Sequence, residues 1–472
     1  MNWPGTIVRL LSSFFIALIL LPSFASAGLA QTALKLPPHQ KVKLPNGLTI
    51  FLMEQREVPI VSFNVLIRAG SVADPQGREG LSSVTAEMIR KGTKTRTAEK
   101  IASELDFVGG ELEFSTGADF VSGSAEVLKK DLPIGLDILS DVLQNPTFPP
   151  AEVTKLLRQR IDGIKQQKDD PGAVIGNYYD AFLFGHHLYG RPESGDEKSL
   201  AAITRADVVR FYQSNYSPQT TTIAVVGDFD AAQMQQMLSS KFGAWKQRGL
   251  PATVSLDAPV AFTGKKLLLI DKADAVQTYF QIGNIGVAYS SPDRVGIGVV
   301  NTVFGARFTS MLNSALRINS GLTYGARSGF ALRRVPGSFV ISSYTQTETT
   351  VKAMDMALEI LDKLHTQGLS EEQLESAKAY VKGQFAPDIE TTDQLAAMLT
   401  QLDFYSLDEG EINNYFAKID ALTVHDASRI IRQYFPRENL VFVLIGRAER
   451  IREEVKKYAP QITARKITDA GF

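Results

Sequence analysis

Five histidines and no cysteine set the terms on which this 472-residue chain can do chemistry. Without cysteine there is no thiolate nucleophile, no iron–sulfur cluster, no thiolate-bound zinc and no disulfide framework. His186 and His187 are adjacent and diverge on any regular element, while His39, His365 and His425 each stand alone. A histidine-based metal centre needs three or four good ligands, so it has little to draw on here. Arg317 and Tyr324 are a different case. They stand seven apart across Gly321, a residue able to end a helix in the left-handed conformation. Arg317 then falls in the last helical turn and Tyr324 just inside the next strand, and both tips can converge on one place. Taken singly, such residues more often serve structure: the arginine caps its own helix and the tyrosine is half-buried in its strand.

The elements that must position these residues are written twice. Phe63, in an alternating strand-like run, matches Phe280 at an offset of 217, and Asp74-Pro75 matches Ser291-Pro292 at the same offset. Ile138-Leu139 matches Ile360-Leu361 at 222, and Glu152 matches Glu372 at 220. Tyr216-Ser217-Pro218 and the apolar run Thr222 to Gly227 match Tyr434-Phe435-Pro436 and Leu440 to Gly446, at 218 and 219. Landmarks in the same order, with offsets drifting by a few residues, mark an internal duplication. Two homologous domains are expected over 37–247 and 263–463, joined by a Pro-containing linker over 248–262, with a short segment 28–36 before them and a tail 464–472 after. Within each half, strands alternate with clustered helices, and Pro45-Asn46-Gly47 is a hairpin signal. Ser370-Glu371-Glu372-Gln373 is a capping box that opens a helix. The expected class is α+β, each domain a largely antiparallel sheet with helices packed on one face.

Composition closes off other functions. Lys and Arg number 50 against 51 Asp and Glu, and 44% of residues are hydrophobic with 21% charged, which describes a globular chain without a general field for phosphate backbones. No nucleic-acid partner is expected. Residues 1–27 carry one cation, Arg9, an apolar run from Leu10 to Leu21 broken only by Ser12 and Ser13, and Ala25-Ser26-Ala27. These are the three parts of a cleavable export signal, with cleavage expected after Ala27 and a charge of 49 − 51 = −2 for what remains. The run falls short of the roughly 20 residues a spanning helix needs, so no stable membrane span is expected after cleavage. The destination is the periplasm or another exported location, where the lack of cysteine leaves nothing to mispair.

The segment Gly80-Leu81-Ser82-Ser83-Val84-Thr85-Ala86-Glu87-Met88, followed by Gly92-Thr93, resembles the zinc-helix segment of the pitrilysin-type (M16) metallopeptidases. That family shows a Gly, then His-x-x-Glu-His, then Met and a Gly-Thr pair at the same spacings. The resemblance extends through Leu44-Pro45-Asn46-Gly47-Leu48, Arg68-Ala69-Gly70-Ser71, Tyr189-Gly190-Arg191-Pro192, Asn215-Tyr216-Ser217-Pro218 and Val225-Val226-Gly227-Asp228. It covers almost the whole chain after residue 27 and implies the two-domain M16 (LuxS/MPP-like) fold. In the family, histidines at i and i+4 share one helix face and hold zinc, while the glutamate at i+3 accepts the proton of the metal-bound water. The places implied by the resemblance are occupied here by Ser83, Ala86 and Glu87, and Gly163 stands where the family has its third ligand, a glutamate ahead of the Asp169-Asp170-Pro171 signal. A serine hydroxyl is a poor zinc ligand and alanine is no base. The expectation is that this chain alone holds no zinc, and that Glu87 is a solvated or hydrogen-bonded helix residue.

The second half resembles the other functional element of the family, a Gly-containing helix leading to an Arg, a Gly-Leu pair and a Tyr. Gly305, Arg317, Gly321-Leu322 and Tyr324 fill those places. The resemblance implies that Arg317 and Tyr324 bind substrate, donating to peptide carbonyls near the scissile bond. A tyrosine hydroxyl so placed also supports the oxyanion of the tetrahedral state, a contact typically worth about 3–4 kcal/mol. An extended peptide or unfolded polypeptide is the implied substrate, added as a strand to a sheet edge. Some bacterial members of the family are heterodimers in which one subunit holds zinc and the other supplies the Arg/Tyr pair. This chain resembles the second kind, with a homologous M16 subunit as partner and the zinc on that partner. The competing expectation is a non-enzymatic peptide-binding or structural protein derived from an M16 peptidase.

Overall fold

The computed structural model describes residues 35–247, 249, 254–260, 262–385 and 387–472. The expected export signal and cleavage point lie outside the described residues. Two six-stranded sheets organise the chain. The first, in order β1-β2-β6-β3-β5-β4, is built from β1 (Gln40–Lys43), β2 (Thr49–Glu54), β3 (Ile60–Ile67), β4 (Glu111–Thr116), β5 (Val121–Leu128) and β6 (Thr221–Gly227). The second, in order β12-β7-β11-β8-β10-β9, is built from β7 (Lys266–Asp271), β8 (Gln277–Ile285), β9 (Ala326–Phe330), β10 (Ser338–Gln346), β11 (Val441–Gly446) and β12 (Ile462–Lys466). Five strands of each sheet correspond in order and direction, and the duplicated landmarks keep register. Phe63 of β3 lies opposite Val225 of β6, and Phe280 of β8 lies opposite Leu444 of β11.

Pairing is antiparallel except between β2 and β6 in the first sheet and along β12-β7-β11 in the second. The sixth strands differ. β1 enters antiparallel through the hairpin at Asn46-Gly47, where Gly47 takes φ +96°, whereas β12 comes from the C-terminal end and runs parallel to β7. Residues 462–466 therefore run past the expected domain end at 463 into the segment expected as a tail. Farther along that segment, Phe472 packs edge-on against Tyr178, with ring centroids 5.2 Å apart. The capping box at Ser370 is formed, Gln373 N donating to Ser370 Oγ at 3.2 Å and Ser370 N to Gln373 Oε1 at 3.0 Å.

Each sheet carries a helical layer from its own half on one face. In the first half, Val61, Phe63, Val65, Ile223 and Val225 pack against Val84 and Met88, Leu136 and Leu139, Phe211, and Met234 and Leu238. In the second, Leu267, Phe280, Ile282 and Leu444 pack against Val299 and Val300, Met354 and Leu361, and Ile430 and Ile431. The apolar stretch from Arg294 to Asn319 has the length and composition of a membrane span, but lies mostly buried in this second core.

The expectation of helices on one face only is corrected on the other side of both sheets. The opposite face of the first sheet, with Phe51, Met53, Ala224 and Val226, is covered by Leu395, Ala396, Leu399 and Leu402 of the second half's helix Thr392–Tyr405. The opposite face of the second sheet, with Leu268, Ile270, Val441, Val443 and Ile445, is covered by Val174, Ile175 and Tyr178 of the first half's helix Pro171–Phe184. The two helices begin 221 residues apart, so the duplicated halves exchange equivalent helices. Every residue of β6 and of β11 is buried as a result, and neither shows the alternation of a half-buried strand: β11 is apolar throughout and β6 is apolar after Thr221 and Thr222.

Polar pegs fix the exchanged helices in place. Thr400 Oγ1 donates to Asn64 Oδ1 at 2.7 Å, Thr222 Oγ1 to Asp403 Oδ2 at 2.7 Å, and Tyr179 Oη to the Phe339 carbonyl at 2.9 Å. Leu399 is 1% exposed. Leu399→Ala leaves a cavity in the layer and should cost about 2–5 kcal/mol. Trp245, buried in the first half's core, reports the outcome. Its fluorescence in urea unfolding should shift to a lower midpoint although the substitution lies in the other half of the chain; an unchanged midpoint would show that the first half folds without the exchanged helix.

Candidate functional site

The degenerate motif lies on the helix Leu81–Met88, whose start is held by a buried carboxyl group. Asp74 accepts from Gly80 N at 2.8 Å and from Ser82 N at 2.7 Å, satisfying two of the donors a helix N-terminus leaves free. Ser83 and Glu87, four apart, share a face, as the spacing requires. What stands in front of them is a guanidinium. Arg160, from the helix Pro150–Gln167, donates from Nη1 to Ser83 Oγ at 2.7 Å, and from Nη2 to Glu87 Oε2 at 2.9 Å and the Ser83 carbonyl at 3.3 Å. Lys91 Nζ stands 3.7 Å from the other Glu87 oxygen. Gly163 lies three residues beyond Arg160 on that helix, and a Cβ there would meet nothing within 4 Å. Ala86 is 1% exposed and belongs to the first core.

Ser83, Glu87 and the Gly163 turn are thus brought together, around a fixed positive charge. These residues do not fit a zinc ion. The one carboxylate is engaged by a guanidinium and an ammonium, the other positions offer a hydroxyl, a methyl and a hydrogen, and a cation placed there would face Arg160. Among the described residues no group of three or more His, Asp or Glu is arranged to hold a metal elsewhere. Arg160 was not singled out in the sequence, although its position one helical turn before Gly163 puts it on the same face.

In the second half, Arg317 lies in a stretch wound as π-helix, Ser314–Asn319, and Gly321 follows with φ +64°. Gly321 thus ends the helix in the left-handed region, as the sequence indicates. Tyr324 differs from expectation: it is not inside a strand but in the turn two residues before β9, and it is 73% exposed. The two tips do converge. The Arg317 guanidinium lies 4.3 Å from the Tyr324 ring centroid and 4.8 Å from that of Phe308, so it is stacked between two exposed aromatic rings. Phe308 is a further site residue that the motif did not reveal. Asn313 ties the loops together, donating to the Phe308 carbonyl at 2.7 Å and accepting from Ala326 N at 3.3 Å. Ser343 Oγ donates to the Gly325 carbonyl at 2.9 Å and Thr345 Oγ1 to the Leu322 carbonyl at 2.7 Å, fixing the turn from β10.

Arg317, Tyr324 and Phe308 open onto a cavity of about 510 Å³ walled by β8, β10, the start of β9 and the first turn of the exchanged helix at Gly172 and Ile175. None of Ser83, Ala86, Glu87, Arg160 or Gly163 lines it. The edge of β9 is partly closed: Asn301 Nδ2 donates to the Ser328 carbonyl at 3.1 Å, and a Cβ on Gly305 would come within 2.5 Å of Ser328 N.

The chain is similar to known proteins over most of its length. The model for the insulinase family (peptidase family M16) matches residues 50–188, and that for the peptidase M16 inactive domain matches residues 202–381. The chain belongs to the pitrilysin-type M16 peptidase family. An uncharacterized zinc protease of Mycobacterium leprae is 26% identical over 393 residues, spanning 83% of this chain and 88% of that protein. One from Bacillus subtilis is 24% identical, spanning 83% and 95%. Among solved structures, a peptidase M16 inactive domain from Pseudomonas fluorescens superposes with a TM-score of 0.80 at 23% identity, covering 87% of this chain and 98% of that one. A protease from Helicobacter pylori gives 0.82 at 19% identity, covering 87% and 100%.

Two outcomes test this site. Arg160→Ala removes charge-assisted bonds at a partly exposed position and should lower stability by about 1–2 kcal/mol. A chelator should leave the urea midpoint of the isolated chain unmoved, whereas a drop on chelation would reveal a structural metal. For Asp74, burial pushes the carboxyl from 3.8 up to about 8 against the lowering pull of the two backbone donors. The folded chain therefore holds this proton across a range where the unfolded chain has released it, so the contribution present at low pH is lost as pH rises toward 8. The thermal midpoint should fall between about pH 4 and 8, and Asp74→Asn should flatten part of that slope.

Proposed function

We propose that this chain is the non-catalytic, substrate-orienting subunit of a periplasmic heterodimeric M16 metallopeptidase, and that its partner is a homologous subunit with an intact His-x-x-Glu-His motif. The observation that carries the reading is the contrast between its two places. A guanidinium fills the position in front of Ser83 and Glu87, while Arg317 and Tyr324 stand together and open at a cavity. The metal chemistry has been replaced by a salt bridge and the substrate-side chemistry has not.

In this reading an extended peptide or unfolded segment lies between the subunits. Arg317 donates from its guanidinium to a backbone carbonyl of the peptide, its plane held by the flanking Phe308 and Tyr324 rings. Tyr324 donates its hydroxyl to the carbonyl that is attacked, and the hydrogen bond strengthens as that oxygen gains negative charge. The partner's zinc, when bound, polarises the same carbonyl and activates water. Peptide orientation is supplied by one chain and bond cleavage by the other. The segment 1–27, with its signal pattern, supports export to the periplasm.

A gene beside this one that encodes an intact zinc motif and an export signal would identify the partner. Co-expressed with it, this chain should support zinc-dependent cleavage of a quenched peptide. Tyr324→Phe should lower kcat by about 10²–10³ with KM little changed, and Arg317→Ala should act largely on KM. Full activity from both variants would sink the orienting role, and no activity from the pair would favour the non-enzymatic, peptide-binding or structural reading. Hydrolysis by this chain alone would overturn the proposal outright.

A further inference from the structure

The cavity beside Arg317 holds more positive charge than the Arg/Tyr pair accounts for. Arg307 and Arg327 line it as well, and no aspartate or glutamate does. Among the described residues, none of the three guanidiniums has a carboxylate partner. Arg317 is stacked on aromatic rings, and Arg307 donates from Nη1 to Ser376 Oγ at 2.9 Å. Elsewhere arginines are commonly paired: Arg96 with three acids, Arg333 with two, and Arg294, Arg429 and Arg160 with one each.

Two polar atoms of lining residues, Arg307 Nε and Gln281 Oε1, are themselves buried and have no partner among the described residues. Three guanidiniums and no carboxylate among the lining residues leave the cavity's charge uncompensated, and its complement is a negatively charged group. One acid outside the lining acts on it, Asp170. Its carboxylate is used by Gly172 N at 2.9 Å, capping the exchanged helix, and it adds to the effect of burial in raising the Tyr279 hydroxyl.

We propose that this cavity selects acidic peptides, with Arg307 and Arg327 as specificity-determining residues that receive a glutamate or aspartate side chain of the bound segment. The inference rests on the peptide-binding reading above and adds the substrate class to it. Arg317 orients the peptide backbone; Arg307, partly buried and with Nη2 uncommitted among the described residues, supplies directional bonds to the carboxylate. Arg327, exposed at the second residue of β9, supplies the outer charge. A lysine or arginine at the same place in the peptide would face three like charges and be refused.

The test uses this full chain without a partner. Three fluorescein-labelled extended peptides, identical except for one central Glu, Gln or Lys, are titrated by anisotropy. The Glu peptide should bind at least about tenfold more tightly than the Gln peptide, and the Lys peptide more weakly still. The difference should shrink as salt is raised from about 0.05 to 0.5 M. Arg327→Gln, at an exposed position where folding is not at stake, and Arg307→Gln should each reduce the Glu/Gln ratio, and Arg307→Lys should restore part of it.

Equal affinity for the three peptides, no measurable binding of any, or an undiminished ratio in both Gln variants would overturn the inference. The cleavage assay fails independently. A pair that hydrolyses peptides without acid preference refutes only the selectivity, and acid-selective binding with no hydrolysis by any pair refutes only the peptidase reading.

Discussion

The exchanged helices carry the architecture. A sheet with two apolar faces has to bury both, and each half of this chain supplies helices for only one of its own. The helix Thr392–Tyr405 covers the far side of the first sheet and Pro171–Phe184 the far side of the second. Neither half has a complete core by itself. The same arrangement brings the first turn of Pro171–Phe184, at Gly172 and Ile175, into the wall of the cavity that Arg317 and Tyr324 face. A binding place that is nominally part of the second half is finished by the first.

Within that shared frame the two candidate places differ in chemistry. The position in front of Ser83 and Glu87 in an M16 fold lies between two helices that both carry polar side chains toward it. Leaving it without a cation would strand the Glu87 carboxylate in a partly buried site. Arg160 meets that requirement with hydrogen bonds to both Glu87 and Ser83. The substitution is structural in effect: it keeps helix Leu81–Met88 docked on Pro150–Gln167, and with it the first half's packing.

Much of this was legible in the residues. The duplication, the α+β class, the hairpin at Asn46-Gly47 and the helix end at Gly321 follow from local chemistry, and the structure bears them out. The family resemblance also places Ser83 and Glu87 on one face and brings Arg317 and Tyr324 together. The helix exchange was not read, although its signal was present. β11 and the part of β6 after Thr222 are unbroken apolar runs, which marks strands buried on both faces, but no local feature says which half covers them. Arg160 and Phe308 were missed for a related reason. Their partners are 77 and 9 residues away, and contacts between separate elements leave no periodicity in the chain. Tyr324 fell outside the strand because the turn at Thr323 and Gly325, tied to Ser343, delays the first β9 pairing to Ala326.

The swap of equivalent helices also bears on how such a chain arises. A single half, encoded by itself, would expose the apolar face of its sheet and carry one helix with no sheet of its own to cover. Two identical copies solve both problems at once by trading that helix across a two-fold axis, a closed and self-complementary arrangement. Duplication and fusion of that gene would convert the homodimer into one polypeptide without altering a contact. The halves would then be free to drift apart, so that corresponding positions in the two could come to hold different side chains.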